Sequence, residues 1–100
     1  VTSRTMFGPA KHTYLSRIIS LKTPASARES VRDLRDEFFV TSFNTKRLRI
    51  ARATQLAANR ALASSRNPSL SARERVEFRT IAAIYGIAAK GLFKAYKRAK

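Results

Sequence analysis

Four carboxylates, Glu29, Asp33, Asp36 and Glu37, recur three or four residues apart in the segment that follows Pro24. At about 100° per residue, Glu29, Asp33 and Glu37 line up on one side of a helix with Asp36 beside them, and carboxylates so spaced can share a cation or do acid–base work. Arg28, Arg32 and Arg35 sit at neighbouring helical positions and supply counter-charges, so the row reads more simply as a docking face for the basic surface of another copy. His12, the one histidine, offers a pH-sensitive phosphate contact or an ordinary surface side chain. No second catalytic or ligating group lies near it in sequence. The chain has no cysteine, 3 glycines and no phosphate-binding pattern such as GxxxxGK. A disulfide framework, a thiolate metal site and a thiol nucleophile are therefore excluded, and the sequence assigns no catalytic residue, metal ligand or cofactor.

The other chemistry on offer is charge neutralisation. Lys plus Arg number 21 against 6 Asp plus Glu, a net charge of +15 over 100 residues. Self-repulsion of that size calls for an anionic partner, nucleic acid first and acidic lipid second. From Thr41 to Arg66 the chain carries Lys46, Arg47, Arg49, Arg52, Arg60 and Arg66, and no acid stands between Glu37 and Glu74. On a helical wheel Arg49, Arg52 and Arg60 share one quarter-turn sector with Leu56 and Ala63 between them. The opposite side holds Leu48, Ala51, Ala58 and Leu62, extended by Ile50, Ala53, Ala57 and Ala61. One face suits phosphate and the other a close-packed partner, the plain alternative being a solvated face on an ordinary bundle helix. A second basic set, Arg75, Arg79, Lys90, Lys94, Lys97 and Arg98, follows Ser71, with no acid after Glu77. Among these lysines stand Phe93 and Tyr96, aromatics that can stack on unpaired bases. Tyr96 belongs to an apolar stripe, whereas Phe93 falls off it and reads as a subunit or nucleic-acid contact.

The elements that must position these groups are helices. Residues 1–9 form a polar arm with a turn signal at Met6-Phe7-Gly8-Pro9, and Tyr14, Ile18 and Leu21, with Leu15 and Ile19 alongside, predict a short amphipathic helix over 10–21. Lys11, Arg17 and Lys22 make that helix basic. Thr23-Pro24 starts the next, or Ser26 with Glu29 slightly later, and Ala27, Val31, Leu34 and Phe38 give it one apolar stripe. An unbroken helix from there to Arg66 would run about 65 Å. It would also put Val31, Leu34 and Phe38 in the sector of Arg49, Arg52 and Arg60, turning the buried side basic halfway along. The sequence thus predicts two helices meeting near Ser42 to Thr45, with Asn44 or Thr45 capping the second; one long helix that exchanges partners is the alternative. Asn67-Pro68-Ser69 ends this element, Asn67 being tolerant of the left-handed conformation. Ser71-Ala72-Arg73-Glu74 is a capping box opening a final helix over 72–98, whose core stripe is Ile81, Ile84, Tyr85, Ala88, Leu92, Ala95 and Tyr96. Gly86 and Gly91 each cost that helix about 1 kcal/mol relative to alanine and mark a tight crossing or the close approach of a ligand.

The resulting expectation is an all-α fold of three to four amphipathic helices, in a small bundle or extended helical hairpin, with a basic N-terminal arm over 1–9 and a single helical nucleic-acid-binding domain over 10–100. No apolar run approaches the roughly 20 residues of a membrane span, and the first fifteen residues lack the apolar core of a secretory signal. Basic residues spread over several helices contact backbone rather than read bases. The expected function is that of a non-enzymatic, sequence-nonspecific protein that coats or packages double-stranded DNA in many copies, in a nucleoid or virion interior. Glu29, Asp33, Asp36, Glu37 and Phe93 are the expected subunit contacts, and no small-molecule substrate is foreseen. A cytoplasmic ribosomal or other ribonucleoprotein component and a membrane-active basic amphipathic helix are the alternatives.

Overall fold

The computed structural model describes residues 18–99. Among these residues it contains three helices and no strand: α1 (Pro24–Val40), α2 (Asn44–Ser64) and α3 (Ala72–Ala99). The arm over 1–9, His12 and most of the expected helix over 10–21 lie outside the described residues. Residues 19–23 are not helical, so that helix does not extend to Leu21 as expected. Ile18, Ile19 and Leu21 nonetheless pack against the core.

Helix α1 begins where its sequence allows the free amides of a first turn to be satisfied. Thr23 is the N-cap, Pro24 occupies the first turn, and Ser26 completes the capping box: the Ser26 amide donates to Thr23 Oγ1 at 3.0 Å and the Thr23 amide to Ser26 Oγ at 3.1 Å. Glu29 takes no part in it. The helix ends at Val40, and Thr41 and Phe43, both extended, carry the chain round to Asn44. The two-helix expectation therefore holds, but neither Asn44 nor Thr45 is the cap. Phe43 is the N-cap and, having no polar side-chain atom, supplies no side-chain bond, while the Asn44 amide oxygen accepts from Arg47 Nη1 at 3.4 Å. Arg47 Nε also donates to the Phe38 carbonyl at 3.4 Å, so one guanidinium ties the end of α1 to the start of α2.

At the far end α2 stops at Ser64, two residues earlier than expected. Successive three-residue turns, with the Arg66 amide on Ala63 O and the Asn67 amide on Ser64 O, unwind the chain in right-handed conformations. No residue with positive φ is needed, and Asn67 instead accepts from the Ser69 amide at 2.9 Å. Helix α3 then opens on the expected capping box: the Ser71 amide donates to Glu74 Oε1 and the Glu74 amide to Ser71 Oγ, both at 3.1 Å. Hydrogen bonding to the Glu74 carboxyl, from the Ser71 amide first and the Ser71 hydroxyl second, holds it below its ordinary value.

The hairpin of α2 and α3 is the main packing unit, and α1 lies against both. The slab measures 41 × 38 × 18 Å, about two helices deep. One cluster joins all three helices: Ala27, Val31, Leu34 and Phe38 from α1; Ile50, Ala51, Ala57, Ala58 and Ala61 from α2; Ile81, Tyr85, Ala88 and Leu92 from α3. Small residues on α2 face larger ones on both neighbours, which lets the axes approach closely. The buried side of α2 is centred on Ile50, Thr54, Ala57 and Ala61, a little over a quarter of a turn from the centre of the expected Leu48–Leu62 side and within its expected extension over Ile50, Ala57 and Ala61. Leu62 stays 41% exposed, because α1 and α3 both draw the Ile50 side inward. Thr54 is fully buried at no polar cost, since its hydroxyl donates to the Ile50 carbonyl at 2.8 Å.

Tyr85, 0% exposed, closes the other side of the core. Its hydroxyl donates to Ser20 O at 2.7 Å and accepts from the Ser20 amide at 3.1 Å, pinning the segment before α1 onto α3. Ser30 Oγ shares that amide, and Ser20 Oγ donates to Ser26 Oγ. The two glycines of α3 show no tight crossing: a Cβ at Gly86 or Gly91 would meet nothing within 4 Å, and neither has positive φ. Their expected role in helix contact is thereby corrected.

Three outcomes follow from this packing. Tyr85→Phe leaves the Ser20 carbonyl without its partner and lowers stability by about 1–3 kcal/mol in urea denaturation. Gly91→Ala raises it by roughly 0.5–1 kcal/mol in the same assay, since the added methyl meets open space. The lowered Glu74 carboxyl contributes stability that is complete above its unfolded value and is lost as pH falls through the folded one. Glu74→Gln, measured by thermal melts against wild type, is accordingly destabilised near neutral pH, and the difference shrinks on acidification below about pH 4.

Candidate nucleic-acid interface

The outward sides of α2 and α3 follow from what each buries. With Ile50, Thr54, Ala57 and Ala61 inward, the far side of α2 carries Arg49, Arg52 and Arg60, all exposed, around a half-exposed Leu56. With Ile81, Tyr85, Ala88 and Leu92 inward, the far side of α3 carries Arg79, Lys90, Lys94 and Lys97, also exposed. Arg66 is exposed in the connection between them and Arg98 at the end of α3, while Arg75 is half-buried near its start. From Asn44 to Ala99 thirteen basic residues face two acids, Glu74 and Glu77, both in the first two turns of α3. Arg49, Arg52, Arg60, Lys90, Lys94 and Lys97 have no carboxylate within salt-bridge distance among the described residues.

Lys46 and Arg47 differ from the rest of the expected set. Both are half-buried at the α1–α2 corner, where Lys46 Nζ stands 3.8 Å from Glu37 Oε1 and Arg47 bonds the Phe38 carbonyl. An ion pair this long and exposed adds little stability, but it occupies one member of the acidic row. Glu29, Asp33 and Asp36 remain exposed on α1. Among the described residues no three carboxylates or histidines converge on a point where a metal ion could sit.

The hairpin brings a smaller set together. An open groove of about 590 Å³ runs between α2 and α3, lined by Gln55, Gly86, Lys90, Phe93, Lys94 and Lys97. Phe93 is half-buried, with one side against the core and another on this groove. Arg49, Arg52 and Arg60 do not line it. Gln55 was not among the residues expected to act here, whereas Gly86 was expected to mark a tight crossing or the close approach of a ligand. The heptad spacing of Gly86 and Phe93, with Lys90 and Lys97 between and beyond, puts them on one side of a helix, but only the pairing with α2 shows Gln55 opposite.

The corner where α1 meets α2 is apolar and uncovered: Phe39 is 63%, Val40 82% and Phe43 72% exposed. Phe39 leans edge-on against Phe38 at 5.0 Å between ring centres. Phe39 and Val40 lie within α1 about 100° and 200° round from Phe38, and Phe43 follows the helix break, so none of the three joins the core stripe. No helix is long and apolar enough to cross a membrane among the described residues. Comparison with known protein families, with curated proteins and with solved structures finds no match to this chain.

Proposed function

We propose that the protein is a structural nucleic-acid-binding protein that coats or packages double-stranded DNA through its phosphates, without catalysis and without reading base sequence. The observation that carries this reading is the pair of exposed, acid-free outer faces on α2 and on α3 beyond Glu77. Surface arginines and lysines in a mixed-charge protein normally alternate with carboxylates; here their neighbours are Leu56, Ala63, Ala83 and Ile87. Arg49 to Arg60 covers about 16 Å of helix axis, against one DNA charge per 1.7 Å or so of duplex axis. The row therefore meets several phosphates wherever it lies, and release of their counterions is the driving force.

The charge balance of α1 supports assembly in many copies. Its exposed Glu29, Asp33 and Asp36 provide a surface on which the basic side of a neighbouring copy docks, allowing like-charged subunits to sit beside one another on one polyanion. A nucleoid or a virion interior is the setting that this combination fits.

Gel-shift titrations test the reading. Duplexes of unrelated sequence should shift cooperatively at equal protein concentration, and replacing Arg49, Arg52 and Arg60 together by Ala should flatten the slope of log affinity against log salt by about 2.7. A single saturable complex on structured RNA alone would favour a ribonucleoprotein component. Loss confined to one DNA sequence would mean base readout.

A further inference from the structure

We propose that the α2–α3 groove is a seat for an unpaired nucleotide, with the base against Phe93 and Gln55 and the flanking phosphates on Lys90, Lys94 and Lys97. The inference rests on the nucleic-acid reading above and adds a second class of substrate to it: a single strand or a frayed end, alongside duplex.

Five features of the groove point the same way. Its volume, about 590 Å³, falls within the roughly 300–1,000 Å³ of sites that enclose small ligands, far below what a duplex would need. It is lined by an aromatic ring that is only half-buried, on a side chain placed off the core stripe. A paired base hides its faces in the stack, so only an unpaired one can lie on that ring. Lys90, Lys94 and Lys97 ring the same opening over about 10 Å of helix axis, more than one nucleotide step, which puts a cation on each side of a seated base. Gln55 faces them from α2; its Nε2 donates to Asn59 Oδ1 at 3.1 Å, and its carbonyl oxygen is left to accept from a base edge.

The fifth feature is Gly86. Glycine weakens a helix, and nothing within the chain requires it here: φ is negative and an added Cβ would meet no atom within 4 Å. A side chain at this position would instead project into the groove that Gly86 lines. The missing side chain keeps that space open. Gly91 has equally open surroundings but does not line the groove, and nothing in the structure explains it.

This geometry yields a variant that strengthens the fold while blocking the site. In the full chain Gly86→Leu should melt at or above the wild-type temperature, leucine being the better helix former. It should bind a fluorescein-labelled twelve-residue oligo(dT) at least tenfold more weakly in anisotropy titrations, with less than a twofold change on a duplex of equal length. Phe93→Leu, which keeps the apolar contact with the core and removes the ring, should show the same selective loss, by about fivefold or more. The proposal is overturned if Gly86→Leu binds oligo(dT) as wild type does, or loses both substrates equally, or if wild type binds duplex but not oligo(dT). In each of those cases the duplex-coating function stands. Should wild type bind neither, both readings fail together.

Discussion

Uncompensated positive charge is the constraint that orders this molecule. Between Asn44 and Ala99 thirteen cations share two helices and a connection with two acids, so every arginine and lysine turned inward would meet another cation or a dry core, and each would cost several kcal/mol. The two helices answer by burying alanine, isoleucine and leucine on one side and sending the charges out on the other. Glu74 and Glu77 stand only at the start of α3, where a carboxylate also satisfies free amides and opposes the helix dipole. The acids of α1 are placed differently: Glu37 stands beside Lys46 at the corner, and the other three face outward.

A fold with so much outward repulsion needs its cohesion from shape. The small residues of α2 supply it by admitting Leu34 and Phe38 from one neighbour and Ile81, Tyr85 and Leu92 from the other into a single cluster. Polar groups inside that cluster are bonded: Thr54 to its own helix, Ser30 to Ser26, and Tyr85 to both backbone groups of Ser20. The last of these joins residues 65 positions apart and makes the segment before α1 part of the core. The core and the exposed cations thus lie on opposite sides of the same helices.

Helix boundaries were legible wherever local chemistry decides them. The Ser71–Glu74 box, the Thr23-Pro24 start and the break after Val40 follow from capping rules and from the clash between an apolar and a basic sector on one wheel. The all-α class and the outward position of Arg49, Arg52 and Arg60 followed from the same periodicity. What depended on partners was not legible. The rotation of the buried face of α2 is set by two neighbours at once, Thr54 is buried with its hydroxyl on the Ile50 carbonyl, and the glycines of α3 border open space where a tight crossing or the approach of a ligand was foreseen. Arg47 reads as one more phosphate ligand, and its bonds to Phe38 and Asn44 at the corner have no sign in the sequence. The groove itself pairs Gln55 with residues some thirty to forty positions away, and a one-dimensional pattern contains no sign of that meeting.

The central claim is that the outer faces of α2 and α3 lie on phosphate while α1 and the core stay clear of it. Amide and arginine side-chain NMR spectra of the full chain, recorded as duplex DNA is added, test it residue by residue. The expected result is a set of shifts running along Arg49, Arg52 and Arg60 and along Arg79 to Lys97, growing weaker with added salt, with Ala27, Val31 and Leu34 unmoved. Shifts confined to α1 or the Phe39–Phe43 corner, or none at any DNA concentration in low salt, would contradict it.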